Sequence, residues 1–222
     1  MDARKFMKLS LLVDNPDSWF WKYVPHVEAI LKRFASSVAI YRKASEIRTG
    51  DILFILSCDR ILMNDTLSKN RQNIVIHASD LPEGKGWSPL TWQIEEGRNI
   101  IPLTLFEATE QLDSGAWYIK DTVCLSGYDL IDETREKLAL KLMEMIEAFL
   151  LGYPLEPRPQ QGEETFFPRR TKKDNELDIN LPLAAQFNKL RVMDNERYPA
   201  YFVIDGHRFI IKIYKDSEHK ND

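Results

Sequence analysis

The apolar run Asn73-Ile-Val-Ile-His77 ends in a histidine, and a loop rich in proline and glycine follows at once: Ala78-Ser79-Asp-Leu81-Pro82-Glu-Gly84-Lys-Gly86-Trp87-Ser-Pro89. Asp113 comes 36 residues after the histidine, inside Leu112-Asp113-Ser-Gly115. An imidazole takes or gives a proton near neutral pH. A carboxylate beside it fixes the ring tautomer and balances positive charge. Such a pair suits an acyl-type transfer, in which a nucleophile must lose a proton while a negative oxygen is held.

The surrounding pattern shows what has to position these groups. Lys8–Val13, Ser37–Tyr41, Asp51–Ser57, Asn73–His77 and Ile100–Phe106 are short apolar runs and read as buried strands; Trp117–Leu125 reads as a strand at an edge. Between them, Phe20, Val24, Val27, Leu31 and Phe34 recur at helical spacing, with Asp17 or Ser18 as the cap. Residues 64–70, 88–94 and 129–151 read as further helices. Apolar strands alternating with helices predict an α/β fold, a doubly wound and mostly parallel sheet covered on both faces. In such sheets the site lies beyond the carboxyl ends of the strands, where His77 and Ser57-Cys58-Asp59 fall.

Residues 1–152 are therefore expected to form the main domain. Tyr153-Pro-Leu-Glu-Pro-Arg-Pro-Gln160-Gln-Gly162 breaks the regularity, as a linker or wrapping loop. Residues 153–222 then add a small appendix, a helix at 183–192 and a hairpin of Ala200–Ile204 and Arg208–Tyr214 turned at Asp205-Gly206. It is too small to fold alone and should pack on the main domain. Its hairpin edge offers a place for a second copy of the chain to pair, as a homodimer. Residues 218–222 read as a polar, frayed tail.

Bulk composition narrows the function. The net charge is −4, from 30 basic and 34 acidic residues. That argues against a nucleic-acid partner, which usually leaves a basic footprint; Arg169-Arg170 with Lys172-Lys173 is the one dense basic cluster. The two cysteines, Cys58 and Cys124, have strand-like neighbours and form no metal or disulfide pattern, so a reducing cytoplasm is the expected compartment. The first residues lack a signal-peptide pattern, and no apolar stretch is long enough to span a membrane.

His77-x-Ser79-x-Leu81-Pro82 with Gly84 and Gly86, followed by Leu112-Asp113-x-Gly115, resembles the formyltransferases that use 10-formyltetrahydrofolate, over residues 50 to 150. Downstream, Gln160-Gln-Gly-Glu-Glu-Thr165-Phe-Phe-Pro-Arg169-Arg170, Gln186-Phe-Asn188-Lys-Leu-Arg191 and Asp194-Asn-Glu-Arg-Tyr198-Pro199 are similar to bacterial nucleotide-sugar N-formyltransferases, in particular those of pseudaminic-acid-type pathways. A formylation domain of nonribosomal peptide synthetases is similar too. The resemblance implies a doubly wound fold, a 10-formyltetrahydrofolate donor, and an acceptor amine on a nucleotide sugar such as a UDP-4-amino-4,6-dideoxy-N-acetyl hexose. It also implies catalysis by His77 and Asp113, with the acid and base roles open between them.

The family usually places an asparagine two residues before the histidine, where this chain has Val75. Asn73, about 7 Å farther along the strand, is the nearest replacement and is assigned here as a third catalytic residue; Asn64 or Ser79 are other donors. A pterin wants a flat apolar slot with backbone hydrogen bonds, which Cys58, Asp59, Arg60, Ile61, Leu62 and Leu112 would supply. Ser79, Gly86 and Trp87 would border the acceptor, whose phosphates suit Arg169, Arg170 and Arg191 and whose base suits Phe167 or Tyr198. Two other readings compete. Formylation of an aminoacyl group on tRNA is opposed by the acidic charge and the short stretch after Gly152. A non-catalytic folate or sugar binder is opposed by the intact His77 and Asp113.

Overall fold

The computed structural model describes residues 7–216; the residues read above as a frayed tail and as the start of the chain lie outside them. A six-stranded sheet forms the centre, built from β1 (Met7–Leu12), β2 (Ala35–Tyr41), β3 (Gly50–Ile55), β4 (Asn70–His77), β6 (Ile100–Glu107) and β7 (Trp117–Cys124) in the order β2-β1-β3-β4-β6-β7. The four strands β2, β1, β3 and β4 run parallel; β6 and β7 are antiparallel to their neighbours. The sheet is thus mixed and mostly parallel, with β2 and β7 at its edges.

Helices α1 (Val24–Lys32), α2 (Asn64–Leu67), α3 (Pro89–Glu95), α4 (Ile131–Gly152) and α5 (Phe187–Arg191) complete the elements with the short strands β5 (Lys85–Gly86), β8 (Phe166–Phe167), β9 (Ala200–Ile204) and β10 (His207–Ile211). The apolar face predicted after Asp17 is split. Trp19–Tyr23 winds as a 3₁₀ turn capped by Ser18, whose Oγ accepts the Phe20 N–H at 3.1 Å, and α1 begins only with Pro25 in its first turn. Proline has no N–H to give to the preceding turn, so one continuous helix through it is disfavoured. Residues 183–192 are split likewise into a 3₁₀ turn, Leu183–Gln186, and α5.

One core joins both parts of the chain. Leu11, Phe54, Ile74, Leu103 and Leu105 from the sheet, Val27 and Leu31 from α1, and Ile146 and Phe149 from α4 cluster with Leu177, Leu190, Met193 and Ala200. Full burial of such side chains stabilises by roughly 1.5–3 kcal/mol each. Beyond α4, residues 156–168 run as a strap across the main sheet's end. Arg158 and Trp117 exchange two backbone hydrogen bonds of 2.8 Å, and β8 pairs in parallel with β5. In the β9–β10 hairpin, Asp205 and Gly206 have φ of 49° and 79°, the paired positive values that a two-residue turn between twisted strands needs.

Candidate active site

His77 closes β4 at the end where the parallel strands open. β6 runs antiparallel to β4 and passes that end, with Thr104 opposite His77 and its last residue, Glu107, opposite Ile74. The loop 108–116 between β6 and β7 then turns back and brings Asp113 to it. Asp113 Oδ2 stands 3.8 Å from His77 Nε2, and both side chains are nearly buried at the wall of one cavity of about 840 Å³. The turn is tightly seated: a Cβ on Gly115 would lie 1.7 Å from the Glu107 carbonyl oxygen, so no other residue fits there.

The glycine-rich loop registers the two groups against each other. His77 Nε2 is 2.9 Å from the Gly84 carbonyl oxygen. A carbonyl only accepts, so Nε2 carries the hydrogen and the neutral ring keeps Nδ1 as its basic nitrogen. Gly86 N–H donates to Asp113 Oδ2 at 2.9 Å. Gly86 itself has φ of 101°, and a Cβ there would sit 2.4 Å from the Phe167 carbonyl oxygen. The glycine thus makes room for the strap, where sequence reasoning assigned the open space to a ligand.

The pterin-side candidates come together. Cys58, Asp59, Arg60, Ile61, Leu62 and Leu112 all line the cavity, along with Ile55, Ala108 and Thr109. Among the described residues, the backbone groups of Arg60, Ile61 and Leu62 make no hydrogen bond. Burial, aided by the charge of Asp14, pushes the Cys58 thiol far above its ordinary value, which makes it a poor nucleophile.

The acceptor-side candidates divide. Gly86, Trp87, Arg169, Arg170 and Tyr198 line the cavity. Arg169 is exposed beside the Trp87 ring, 6.0 Å from its centroid. Arg170 is committed elsewhere. It stacks on Trp92 at 4.6 Å, and its Nη1 is 2.7 Å from Glu95 Oε1 in a pair whose N–H directions miss the carboxylate, leaving both terminal nitrogens buried without a hydrogen bond. Burial raises the Glu95 carboxyl above its usual range, against the pull of the Arg170 charge.

Four assignments are corrected. Arg191 is 1% exposed and spends its guanidinium on Asn188 Oδ1, the Ser126 carbonyl and Asn99 Oδ1, at 2.9, 3.1 and 2.8 Å; it ties α5 to neighbouring loops and reaches no ligand. Phe167 lies in the strap against the glycine loop, outside the cavity lining. Ser79 is buried beneath that loop, with its carbonyl accepting from Thr104 Oγ1 at 2.7 Å. Asn73 donates from Nδ2 to the Leu67 carbonyl at 3.0 Å, and its backbone N–H goes to Glu107 Oε1 at 2.6 Å. It belongs to a buried polar cluster with Glu107 and Tyr118, whose phenol burial and Glu107 push up to about 12. Val75, not Asn73, faces the cavity, and Asn64 does not line it either.

Sequence reasoning missed the residues that brace the turn. Gln160 Nε2 donates to the carbonyls of Asp113 and Gly115 at 2.9 and 2.8 Å. Lys85, 1% exposed, spans from Ser114 Oγ at 2.8 Å to Glu164 Oε1 at 2.5 Å. A lysine between two glycines carries no local sign of such burial, because its partners lie 29 and 79 residues away. The run from Gln160 to Thr165 was the only hint that the strap belongs to the site.

Comparison with known proteins agrees with this fold. The formyl transferase family model matches residues 32–149. A methionyl-tRNA formyltransferase of Thermosipho africanus is 31% identical over 137 residues, covering 62% of this chain and 42% of that protein. The chain thus spans about two fifths of the length of the curated relatives it matches. Among solved structures, a methionyl-tRNA formyltransferase from Clostridium thermocellum superposes with a TM-score of 0.80 at 20% identity, over 97% of this chain and 96% of that one. A 4-N formyltransferase from Francisella tularensis superposes at 0.71 with 15% identity, over 95% and 98%.

Proposed function

This chain belongs to the formyl transferase family, and we propose that it moves the formyl group of 10-formyltetrahydrofolate to the amino group of a nucleotide-linked amino sugar. The observation that carries this is the shared cavity. One space of about 840 Å³ is lined by the His77–Asp113 pair, by a first wall with the unpaired backbone of Arg60–Leu62, and by a second with Trp87, Arg169 and Tyr198. The first wall fits a pterin: it is apolar through Ile55 and Leu62 and offers free backbone donors and acceptors. The second wall fits an anionic, aromatic-bearing small molecule, since a guanidinium fork matches phosphate oxygens and indole and phenol rings stack on a base.

When bound, the donor supplies the formyl carbon and leaves as tetrahydrofolate. His77 Nδ1 takes the proton of the attacking amine and gives it up to the departing folate nitrogen, the role open to the nitrogen that Gly84 leaves unprotonated. Asp113 Oδ2, 3.8 Å away, balances the imidazolium that results. Loop 108–116 and the glycine loop fold over the pair and shield it from bulk water, which strengthens these charge interactions.

The curated relatives' names favour a second reading, formylation of an aminoacyl group carried on tRNA. One experiment separates the two: turnover with 10-formyltetrahydrofolate and either a UDP-4-amino-4,6-dideoxy sugar or methionyl-tRNA. Formylation of the sugar with no salt-dependent tRNA binding supports the first; steeply salt-dependent tRNA binding with formylated methionyl-tRNA replaces it. The reading also includes a homodimer through the β9–β10 hairpin, which leaves Phe209, Ile210 and Tyr214 exposed. Sedimentation should show a dimer that Ile210→Lys dissociates; a monomeric parent would end that part.

A further inference from the structure

We propose that Gln160 is a positioning residue for the transfer, holding the Asp113 carboxylate in register with His77 from the segment after α4. The inference rests on the function proposed above, in which that pair does the chemistry. Asp113 has φ of 47°, a left-handed conformation that side chains other than glycine rarely adopt. Such a conformation persists where the surroundings over-determine it. Two of the turn's carbonyls, those of Asp113 and Gly115, each accept one of the two hydrogens on Gln160 Nε2, at 2.9 and 2.8 Å. The other end of the same amide, Oε1, is buried with no partner. The side chain is therefore placed for its donor end, at the expense of its acceptor.

The strap acts on the carboxylate by a second route as well. Gly86 N–H holds Asp113 Oδ2, and Gly86 is paired with Phe167 of β8. Thr165 Oγ1 accepts the Gly84 N–H at 2.8 Å, and Gly84 O holds the His77 ring. Gln160 grips the backbone of the turn, while residues 165–167 set the loop that both catalytic side chains lean on. The two anchors lie within one short stretch of chain, so the spacing between imidazole and carboxylate is fixed by a segment that contributes no reacting group.

Gln160→Met tests this, since it keeps length and bulk while removing both donors. The Gly86 amide reports the carboxylate directly, through its hydrogen exchange. The expected result is exchange at Gly86 faster by about tenfold, kcat lower by about tenfold or more, KM for the formyl donor within about twofold, and a melting temperature close to the parent's. Gln160→Asn, which keeps the donors but withdraws them by one methylene, should show the same pattern more weakly and serves if the methionine variant does not fold. Unchanged Gly86 exchange, or faster exchange with unchanged kcat, overturns the proposal. So does a fall in melting temperature that speeds exchange across the whole sheet, which would mark Gln160 as a structural residue only. If the parent chain transfers no formyl group to the sugar or to methionyl-tRNA, the function proposed above fails, and Gly86 exchange in the variants still decides whether Gln160 places Asp113.

Discussion

Two neighbouring arginines on the same stretch of chain, Arg169 and Arg170, meet opposite fates. Arg169 is exposed beside Trp87; Arg170 is largely covered, stacked on Trp92 with Glu95 as its counter-charge. The same division separates the cavity's two walls. The donor wall consists of loops at strand ends over the sheet core, with Leu62 and Ile55 nearly buried beneath the exposed Asp59, Arg60 and Ile61. The acceptor wall combines the chain after α4, where Tyr198 is 54% exposed, with the glycine loop, where Trp87 is 39% exposed. A wall continuous with the core resists change because every substitution is also a packing change. An exposed wall can vary at little cost in stability. On the function proposed above, the apolar floor of donor recognition is built into the fold, and recognition of the acceptor is written on its surface.

The sharpest way to break this contrast is to exchange the fates of the two arginines. Arg170→Met strands the Glu95 carboxylate and should destabilise the chain by about 3–5 kcal/mol, as removal of one partner of a buried pair does; chemical denaturation measures it. Adding Glu95→Leu should recover most of that loss, because an apolar pair fills the same place without desolvating a charge. Arg169→Met should leave stability unchanged, and if it destabilises comparably the distinction is lost.

Next in size, His77→Ala and Asp113→Ala should each reduce kcat by at least about 10²-fold with the far-ultraviolet dichroism and melting temperature retained. Near-normal turnover in either variant removes the catalytic pair from the account. A smaller effect should distinguish the walls: Trp87→Ala and Arg169→Ala should raise KM for the sugar nucleotide about tenfold, in keeping with loss of a stacking or phosphate contact, while KM for the formyl donor stays constant. Equal increases in both constants would mean that the two walls are not separate.

The smallest effect concerns the scaffold behind both walls. Asp129 is buried, and although burial opposes it, hydrogen bonds from Lys137 and from the Ser126 N–H and Oγ hold its carboxyl below the ordinary carboxylate range. A folded-state value below the unfolded one stabilises the protein above the unfolded value and loses that stabilisation as pH falls through the folded one. Stability should therefore be full at neutral pH and decline below about pH 4. Asp129→Asn should cost roughly 1–2 kcal/mol at pH 7 and flatten that acid limb in a pH series of denaturation curves.

The strands and main helices were legible because burial of a strand or a helix face leaves a local period in the sequence. Leu9, Leu11 and the Val27–Leu31 spacing are examples. The candidate catalytic histidine was legible for a related reason, since a strand end followed by glycines is a local signature. The direction of β6 was not, because a strand's apolar pattern is the same read either way. Nor was Asn73's role, which depends on Glu107 and Leu67 coming to it from other elements. Arg191 shows the same limit. Its type suited a phosphate, and only its three partners, two of them 65 and 92 residues distant, reveal that each of its nitrogens already donates within the protein. The strap was visible as a proline-rich interruption, but the contacts that give it meaning join residues up to 81 positions apart.

The pairing of β8 with β5 ties heredity of selectivity to heredity of rate. A family member that gained a new substrate by exchanging everything after its long helix would also exchange the peptide that trues the glycine loop. Such a graft would begin with a poorly aligned carboxylate, however well its new surface held the incoming molecule. Diversification in this architecture is then easier by point changes at the rim, at places like Arg169 and Tyr198, than by wholesale replacement of the tail.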